Sequence, residues 1–257
     1  MRASEILLLF SATVLAGAIN SVAGGGSFIS FPCLLFTGMP PISANATNTM
    51  AIWPGVIAAT GAYRKALTWK ILKPLMPLIV ISFFGSILGA ALLLKTPQQT
   101  FLKLIPWLLL SATILFALGG KITAWVNRRP RSGPSAWTMV AITAVQLCVA
   151  IYFGYFGAGG GFVILALLAL MGMDDIHAMN GVKTLLAACS NGVAVVIFIF
   201  AHAIVWPQAI LMMAGAILGG YAGAYFAQKL PAKAVRAMVI GIGISATVYF
   251  FWQTLKA

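Results

Sequence analysis

The sequence predicts an all-α, polytopic membrane protein of about eight transmembrane helices, in two homologous four-segment repeats that each begin with a glycine-broken helix. Three observations lead to this fold class. First, 61% of the 257 residues are hydrophobic and 7% are charged, whereas about 25% are charged in soluble domains. Second, apolar runs of the roughly 20 residues that cross a bilayer follow one another along the chain. Third, each half contains three successive glycines, namely Gly24, Gly25 and Gly26, and Gly159, Gly160 and Gly161.

The resemblance between the halves extends beyond the glycines. Gly38 and Met39 return 134 positions later as Gly172 and Met173. The same displacement relates residues 111–113, Ser-Ala-Thr, to residues 245–247. A shared displacement across a whole half is hard to obtain by chance, so we interpret the chain as a duplicated unit. Residues 1–126 are the first membrane repeat, residues 127–135 a basic linker and residues 136–257 the second membrane repeat.

The predicted spans follow the apolar runs in chain order, and the first span of each repeat is broken at its glycines. Four full crossings per repeat would give both repeats the same orientation, whereas a segment that turns back after each break would invert them. The sequence leaves both arrangements open. The spans cover residues 5–37, 45–62, 74–94, 102–125, 136–171, 178–200, 205–227 and 233–254.

Basic residues in the connections favour a cytoplasmic N terminus if every apolar run crosses the membrane, because Lys and Arg accumulate in cytoplasmic loops. Counted in this way, ten basic residues lie inside and five outside. Most of the exceptions come from the second repeat. The outside set is Lys95, Lys103, Lys229, Lys233 and Arg236.

Composition argues against several other classes of function. Most of the 16 Lys and Arg residues lie in short connections, so membrane topology explains the net charge of +13 and no nucleic-acid partner is predicted. The three cysteines lie in separate apolar stretches without a metal-ligand spacing, so neither a metal nor another cofactor is predicted. The one conceivable catalytic cluster, Asp174, Asp175 and His177, lies on a connection without a nucleophile, so the chain is predicted not to be an enzyme.

Polar residues within the apolar runs indicate an anion site. A helix that restarts after a glycine break presents unpaired N–H groups and the positive end of its dipole. The spans contain Lys183 and no acidic residue apart from Glu5 at the extreme start, so donors outnumber carboxylates. We therefore predict that a small anion binds between the repeats. The predicted substrate-binding residues are Gly24, Gly25, Gly26, Ser27, Thr47, Asn48, Gly159, Gly160, Gly161, Asn180, Lys183, Thr184 and Asn191.

Each of these features has a structural alternative. The glycines alone are also typical of close packing between helices. A lysine near the end of a span can extend its ammonium group to the membrane interface. His202, near the end of the sixth span, is a candidate for proton coupling, with an interfacial histidine that has a satisfied hydrogen bond as the alternative.

Several motifs in combination resemble those of the sulfite exporter TauE/SafE family of membrane permeases. In the first half they are the three glycines, Phe31-Pro32, Gly38-Met39-Pro40-Pro41, residues 44–48 (Ala-Asn-Ala-Thr-Asn) and Tyr63-Arg64-Lys65. In the second half they are the glycines, residues 174–177 (Asp-Asp-Ile-His), residues 180–183 (Asn-Gly-Val-Lys), Trp206-Pro207 and residues 218–221 (Leu-Gly-Gly-Tyr). The resemblance covers nearly the whole chain.

The resemblance implies a multi-pass permease of the bacterial inner (plasma) membrane that moves a small sulfur-containing anion, such as sulfite, a sulfonate or a related organosulfur acid. Its direction, import or export, stays open. The Ala46, Thr47 and Asn48 element has residues 180–183 in its place in the second repeat, so the two half-sites are not chemically equal.

The expected partners are the small anionic substrate and the lipid bilayer. A homo-oligomer is left open, because apolar surfaces that face lipid and those that face another subunit look alike in sequence. An anion channel or a non-transporting membrane scaffold is the alternative function.

Overall fold

The computed structural model describes residues 1–22, 25–126, 135–173, 175–226 and 232–256. Within these ranges the secondary structure is entirely helical, which confirms the predicted all-α class for the described residues. A 3₁₀ turn, Lys73–Leu75, joins α4 to α5. The helices are α1 (Ala3–Val22), α2 (Ser27–Phe36), α3 (Pro41–Ala62), α4 (Trp69–Leu72), α5 (Met76–Lys95), α6 (Gln98–Val126), α7 (Ala136–Tyr155), α8 (Gly161–Leu170), α9 (Ile176–Phe200), α10 (Trp206–Phe226) and α11 (Ala232–Lys256).

Six helical segments in the described ranges are long and apolar enough to cross a membrane. Two further apolar helices are shorter, Ser27–Phe36 and Trp206–Gly220. The membrane class therefore stands, while the total of eight spans stays a prediction. The six segments are Ala3–Asn20, Trp69–Lys95, Gln98–Leu118, Ala136–Tyr155, His177–Phe200 and Ala237–Thr254.

α1 and α2 form a hairpin. A straight helix would separate residues ten positions apart by about 15 Å, yet a Cβ atom on Gly26 would overlap the carbonyl oxygen of Ala16. The other end of α2, at Phe36, shares a surface depression with Arg2 and Leu8. α2 therefore runs back toward the end of the molecule at which α1 begins.

Two long helix pairs pack in parallel through glycines. On α5, Gly85 contacts Ala150 of α7, and Gly89, one turn later, contacts Ile151 and Tyr155. In the same way, α1 packs against α10, where Gly215 faces Thr13 and Gly219 faces Val14. The two helices therefore run in the same direction along this contact. A Cβ atom on Gly89 or Gly219 would overlap a carbonyl oxygen of the neighbouring helix, so only glycine permits this approach.

α3 and α9 cross the centre of the molecule in opposite directions. The Trp53 Nε1 group of α3 donates to the carbonyl of Ala188 at 2.9 Å. Ten residues after Trp53, at the C-terminal end of α3, Tyr63 packs on Gly181, which is earlier on α9. The end of α3 therefore lies beside the start of α9.

Two apolar clusters occupy opposite ends of the bundle. One joins the start of α1 and α6 to the ends of α5 and α9, through Leu9, Phe101, Leu93 and Phe198. We call this the N-terminal end. The other joins the starts of α5, α7 and α9 to the end of α8, through residues Leu78, Ile142, Met179 and Leu168, and we call it the distal end.

Candidate functional site

A cavity of about 230 Å³ lies between the two glycine breaks and extends to Tyr63 and Asn180 at the distal end. Its lining comes from both halves of the chain. Eight residues that the sequence predicts as substrate-binding lie on its wall. They are Gly25, Ser27, Gly159, Gly161, Asn180, Lys183, Thr184 and Asn191.

The backbone of each break adopts a conformation that favours glycine. Gly25 has a φ of 95° and Gly159 a φ of 79°, both in the left-handed region. Gly157, which was not predicted from the sequence, has a φ of 77°. These three residues let the chain reverse between the paired helices and bring its backbone to the cavity wall.

The cavity faces the N-terminal regions of α2 and α8. α2 begins at Ser27 and α8 begins at Gly161, and both residues line the cavity. The first N–H groups of a helix have no acceptor within that helix, and they carry the positive end of its dipole. At both helices several of these N–H groups already donate to carbonyls of the preceding glycines, so the two short helices present mainly partial positive charge to the same space.

Lys183 adds a full positive charge beside the start of α8. Its Nζ atom donates to Asn180 Oδ1 at 2.9 Å. Its Cδ atom lies 3.3 Å from the position that a Cβ on Gly161 would take, so the absence of a side chain there makes room for the lysine stem. The ammonium group is therefore held at the wall where the α8 dipole is also positive.

Among the described residues, no carboxylate neutralises the positive charge of Lys183. The chain has three acidic residues in all. Glu5 lies 4.0 Å from Arg2 at the N-terminal end, and Asp175 accepts a hydrogen bond from the His177 N–H at the start of α9. Asp174 lies outside the described residues. Within the part of the chain that the structure describes, the cavity is consequently a positive site.

Two other predicted residues, Thr47 and Asn48, are buried outside the cavity lining. The Thr47 Oγ1 atom accepts from the Val205 N–H at 3.0 Å, and Asn48 Oδ1 accepts from the Ser30 hydroxyl. Nearby, Asn45 Nδ2 donates to the Tyr155 carbonyl at 3.0 Å. These bonds tie α3 to neighbouring segments on the N-terminal side of the cavity, and the predicted contacts of Thr47 and Asn48 with substrate stay predictions.

The remaining predicted residues have other surroundings. Gly26 packs on α1 and Gly160 packs on the ring of Phe153, so neither lines the cavity. Gly24 lies outside the described residues. His202 is exposed on the turn after α9, with a φ of 53°, and its role in proton coupling is likewise untested.

Part of the lining was not predicted from the sequence. One face of α3, continued by Tyr63 directly after it, contributes five residues, and Phe116, Phe153 and Phe156 supply an aromatic wall. The α3 residues recur at spacings of three or four, which is the period of one helix face, so a search for such a stripe could have found them. They are Thr49, Ile52, Val56, Ala59 and Tyr63.

Comparison with known proteins identifies the family of this chain. The family model described as sulfite exporter TauE/SafE matches residues 9–250. No solved structure gives a significant match. Among curated proteins, the chain is 30% identical to "Probable membrane transporter protein ORF9" of Sinorhizobium sp, over 95% of this chain and 91% of that protein.

Two further relatives carry the same kind of name. The chain is 31% identical to "Probable membrane transporter protein YfcA" of Escherichia coli strain K12, over 92% of this chain and 87% of that protein. It is 28% identical to a "Probable membrane transporter protein" of Haemophilus influenzae, over 91% of this chain and 90% of that protein. A membrane transporter is thus the common description, and the chain belongs to the sulfite exporter TauE/SafE family.

Proposed function

We propose that this protein is a permease for a small sulfur-containing anion, such as sulfite, a sulfonate or a related organosulfur acid. The observation that carries the proposal is the Lys183 ammonium group beside the α8 N-terminal region, in a cavity whose described lining has no carboxylate. A positive charge and helix N–H groups in a partly enclosed space favour an anion. Family membership supports transport of that anion and not its chemical conversion.

The site lies between two inverted repeats in this proposal. Gly25 and Gly159 have similar left-handed φ values and are 134 positions apart, as are Gly38 and Gly172, with φ values of 78° and 83°. The left-handed glycines of the two breaks are therefore related by the same displacement of 134 positions as the rest of the repeat. The two three-glycine motifs themselves are 135 positions apart. The parallel pairs α1–α10 and α5–α7, with antiparallel α3 and α9, are the arrangement expected of two inverted copies.

This topology also changes the orientation that basic residues favour. If each hairpin returns to its own side, seven described basic residues other than Lys183 of the cavity lie toward the distal end and four toward the N-terminal end. The positive-inside rule then favours a cytoplasmic distal end and an N terminus outside the cytoplasm, opposite to the orientation obtained by counting every apolar run as a crossing. The distal set is Arg64, Lys65, Lys70, Lys73, Lys121, Lys233 and Arg236; the other set is Arg2, Lys95, Lys103 and Lys256.

Flux into proteoliposomes tests the proposed function. Vesicles containing the purified protein should take up labelled sulfite or a short alkylsulfonate with a rate that saturates with concentration, and acetate should compete poorly. An uptake rate that rises linearly with anion concentration, up to concentrations far above those in cells, would indicate a channel. No flux of any sulfur anion, from protein that stays folded in the vesicles, would contradict the proposal and favour a scaffold.

A further inference from the structure

Three oxygen atoms lie near one point beside Gly157, which follows the end of α7. The three heavy atoms nearest to the position that a Cβ on Gly157 would take are Phe153 O at 3.5 Å, Asn191 Oδ1 at 3.6 Å and Thr49 Oγ1 at 3.9 Å. They come from three helices that meet at the cavity wall. A site lined in this way by acceptors calls for a positively charged group or a proton donor.

Each of the three oxygens has lone pairs to spare. Asn191 is 7% exposed, and its Oδ1 atom is buried without a hydrogen-bond partner. The Thr49 hydroxyl donates its proton to the Asn45 carbonyl at 2.8 Å, so its oxygen faces the point as an acceptor. A buried acceptor left unpaired is costly, which means that these groups are stabilised when something positive binds between them.

The carbonyl of Phe153 is freed by the way in which α7 ends. In a continued α-helix the Gly157 N–H would bond to it. Here the Gly157 N–H donates instead to the Tyr152 carbonyl at 3.2 Å, as the Phe156 N–H does at 2.8 Å. The last carbonyls of a helix carry the negative end of its dipole. The point beside Gly157 thus combines a negative helix end with two side-chain oxygens.

We propose that this pocket binds a small monovalent cation, with Na⁺ as the probe, and that the cation is co-transported with the anion. Carbonyl, amide and hydroxyl oxygens are hard ligands suited to such an ion, and unwound or terminal helix carbonyls hold coupling ions in other broken-helix carriers. Cation binding itself does not depend on the proposed anion substrate, whereas the coupling step rests on the proposed function.

The two halves of the cavity differ in charge at positions related by the displacement of 134. This displacement matches Thr49 in the first half with Lys183 in the second. One half of the cavity therefore carries a covalently attached cation, while the corresponding position in the other half carries only an oxygen ligand. A mobile cation beside Thr49 would give the two halves comparable charge, and a bound anion between them would then interact favourably with both.

Na⁺ titration of the purified protein without any anion is the first test. Replacement of choline by Na⁺ at constant ionic strength should raise the unfolding midpoint in a saturable manner, because a ligand of the folded state stabilises it. Asn191→Ala and Thr49→Val should lose this response, and Asn191→Asp should keep it. Thr60→Val is the matched control, since the Thr60 hydroxyl also bonds to an α3 carbonyl but lies outside the cavity lining.

The second test measures coupling. Na⁺ should lower the apparent dissociation constant of the anion by about fivefold or more, the usual lower range of coupling between sites. Anion binding that persists in choline, without any Na⁺ effect on stability, would overturn the cation site alone. A Na⁺ response without any anion response would contradict the proposed function and leave the cation site standing.

Discussion

The two glycine breaks have similar backbones but different surroundings. At the first break, a Cβ atom on Gly25 would lie 3.2 Å from carbon atoms of Phe116, Phe28 and Val239, all of them apolar side chains. At the second break, Gly161 lies against the Lys183 stem and Gly157 faces the oxygens of Thr49 and Asn191. The duplicated backbone supplies the shape of the site, whereas the ionic chemistry is concentrated on the second break.

The difference between the two breaks separates what the backbone contributes to the site from what side chains contribute. Helix N-terminal regions and left-handed glycines follow from the backbone alone, and both breaks have them. The lysine occurs in the second half only, where its first-half counterpart is Thr49. Substitutions at the first break should therefore affect mainly folding, whereas substitutions of the polar side chains around the second break should affect ligand binding.

Cysteine labelling from the two sides of the membrane should give the largest contrast, because it is all or none. Exposed Gln99, at the start of α6, and exposed Lys65, after α3, lie toward opposite ends of the bundle. In a variant without the three native cysteines, an impermeant thiol reagent should label Gln99→Cys in intact cells, and Lys65→Cys only after permeabilisation. The reverse pattern would place the distal end outside the cytoplasm, and labelling of both from one side would contradict a membrane crossing by α5.

Alanine at Gly159 should destabilise the fold more than alanine at Gly172. Both residues have a positive φ, which costs an alanine about 1–2 kcal/mol. At Gly159 the new Cβ would also lie 3.0 Å from the Ala112 carbonyl oxygen, whereas at Gly172 nothing lies within 4 Å. We expect losses of about 2–4 and about 1 kcal/mol respectively.

Thermal unfolding in detergent measures this pair, and Gly172→Ala serves as the matched control for the backbone term. Equal losses for the two variants would mean that α6 does not pack on the break as described.

Alanine at Gly161 should have a smaller effect, and on binding more than on stability. The new Cβ would lie 3.3 Å from Lys183 Cδ, which belongs to a flexible stem that can move aside. Displacing the ammonium group from the start of α8 should weaken anion binding by about three- to tenfold, equivalent to about 1 kcal/mol. Titration calorimetry would measure this loss of affinity. Gly55→Ala on α3 is the control, because nothing lies within 4 Å of a Cβ added there. Unchanged affinity would argue that Lys183 does not act together with α8.

The sequence was sufficient for the class of protein and for much of the cavity wall. Long apolar runs and only three acidic residues are typical of a membrane protein and not of a soluble enzyme. Lys183 is identifiable because an ionisable side chain within a membrane span is costly and usually has a function. Periodicity could not reveal that α2 turns back, because a short apolar helix has the same composition in either direction. That reversal depends on contacts such as Gly26 with Ala16, between residues that sequence patterns do not relate.

Side-chain roles were equally hard to assign from sequence where two polar residues are neighbours on one helix. Asn48 and Thr49 are adjacent, yet Asn48 bonds to Ser30 away from the cavity and Thr49 lines it. Successive residues on a helix point about 100° apart, so a one-residue difference decides which of them meets the ligand. The aromatic wall was missed for a related reason, because phenylalanines are common in every apolar run.

The most direct test of the account is anion-dependent stabilisation of the purified protein, compared between the native chain, Lys183→Ala and the exposed-lysine control Lys65→Ala. Sulfite, thiosulfate and short sulfonates should raise the unfolding midpoint of the native chain and the control, beyond any effect of carboxylates. A hydrogen bond to a charged group contributes about 1.5–3 kcal/mol, so Lys183→Ala should need about 10- to 100-fold more anion for the same shift. An identical response in Lys183→Ala would contradict the proposed site, and no response of the folded native chain to any sulfur anion would contradict the proposed substrate class.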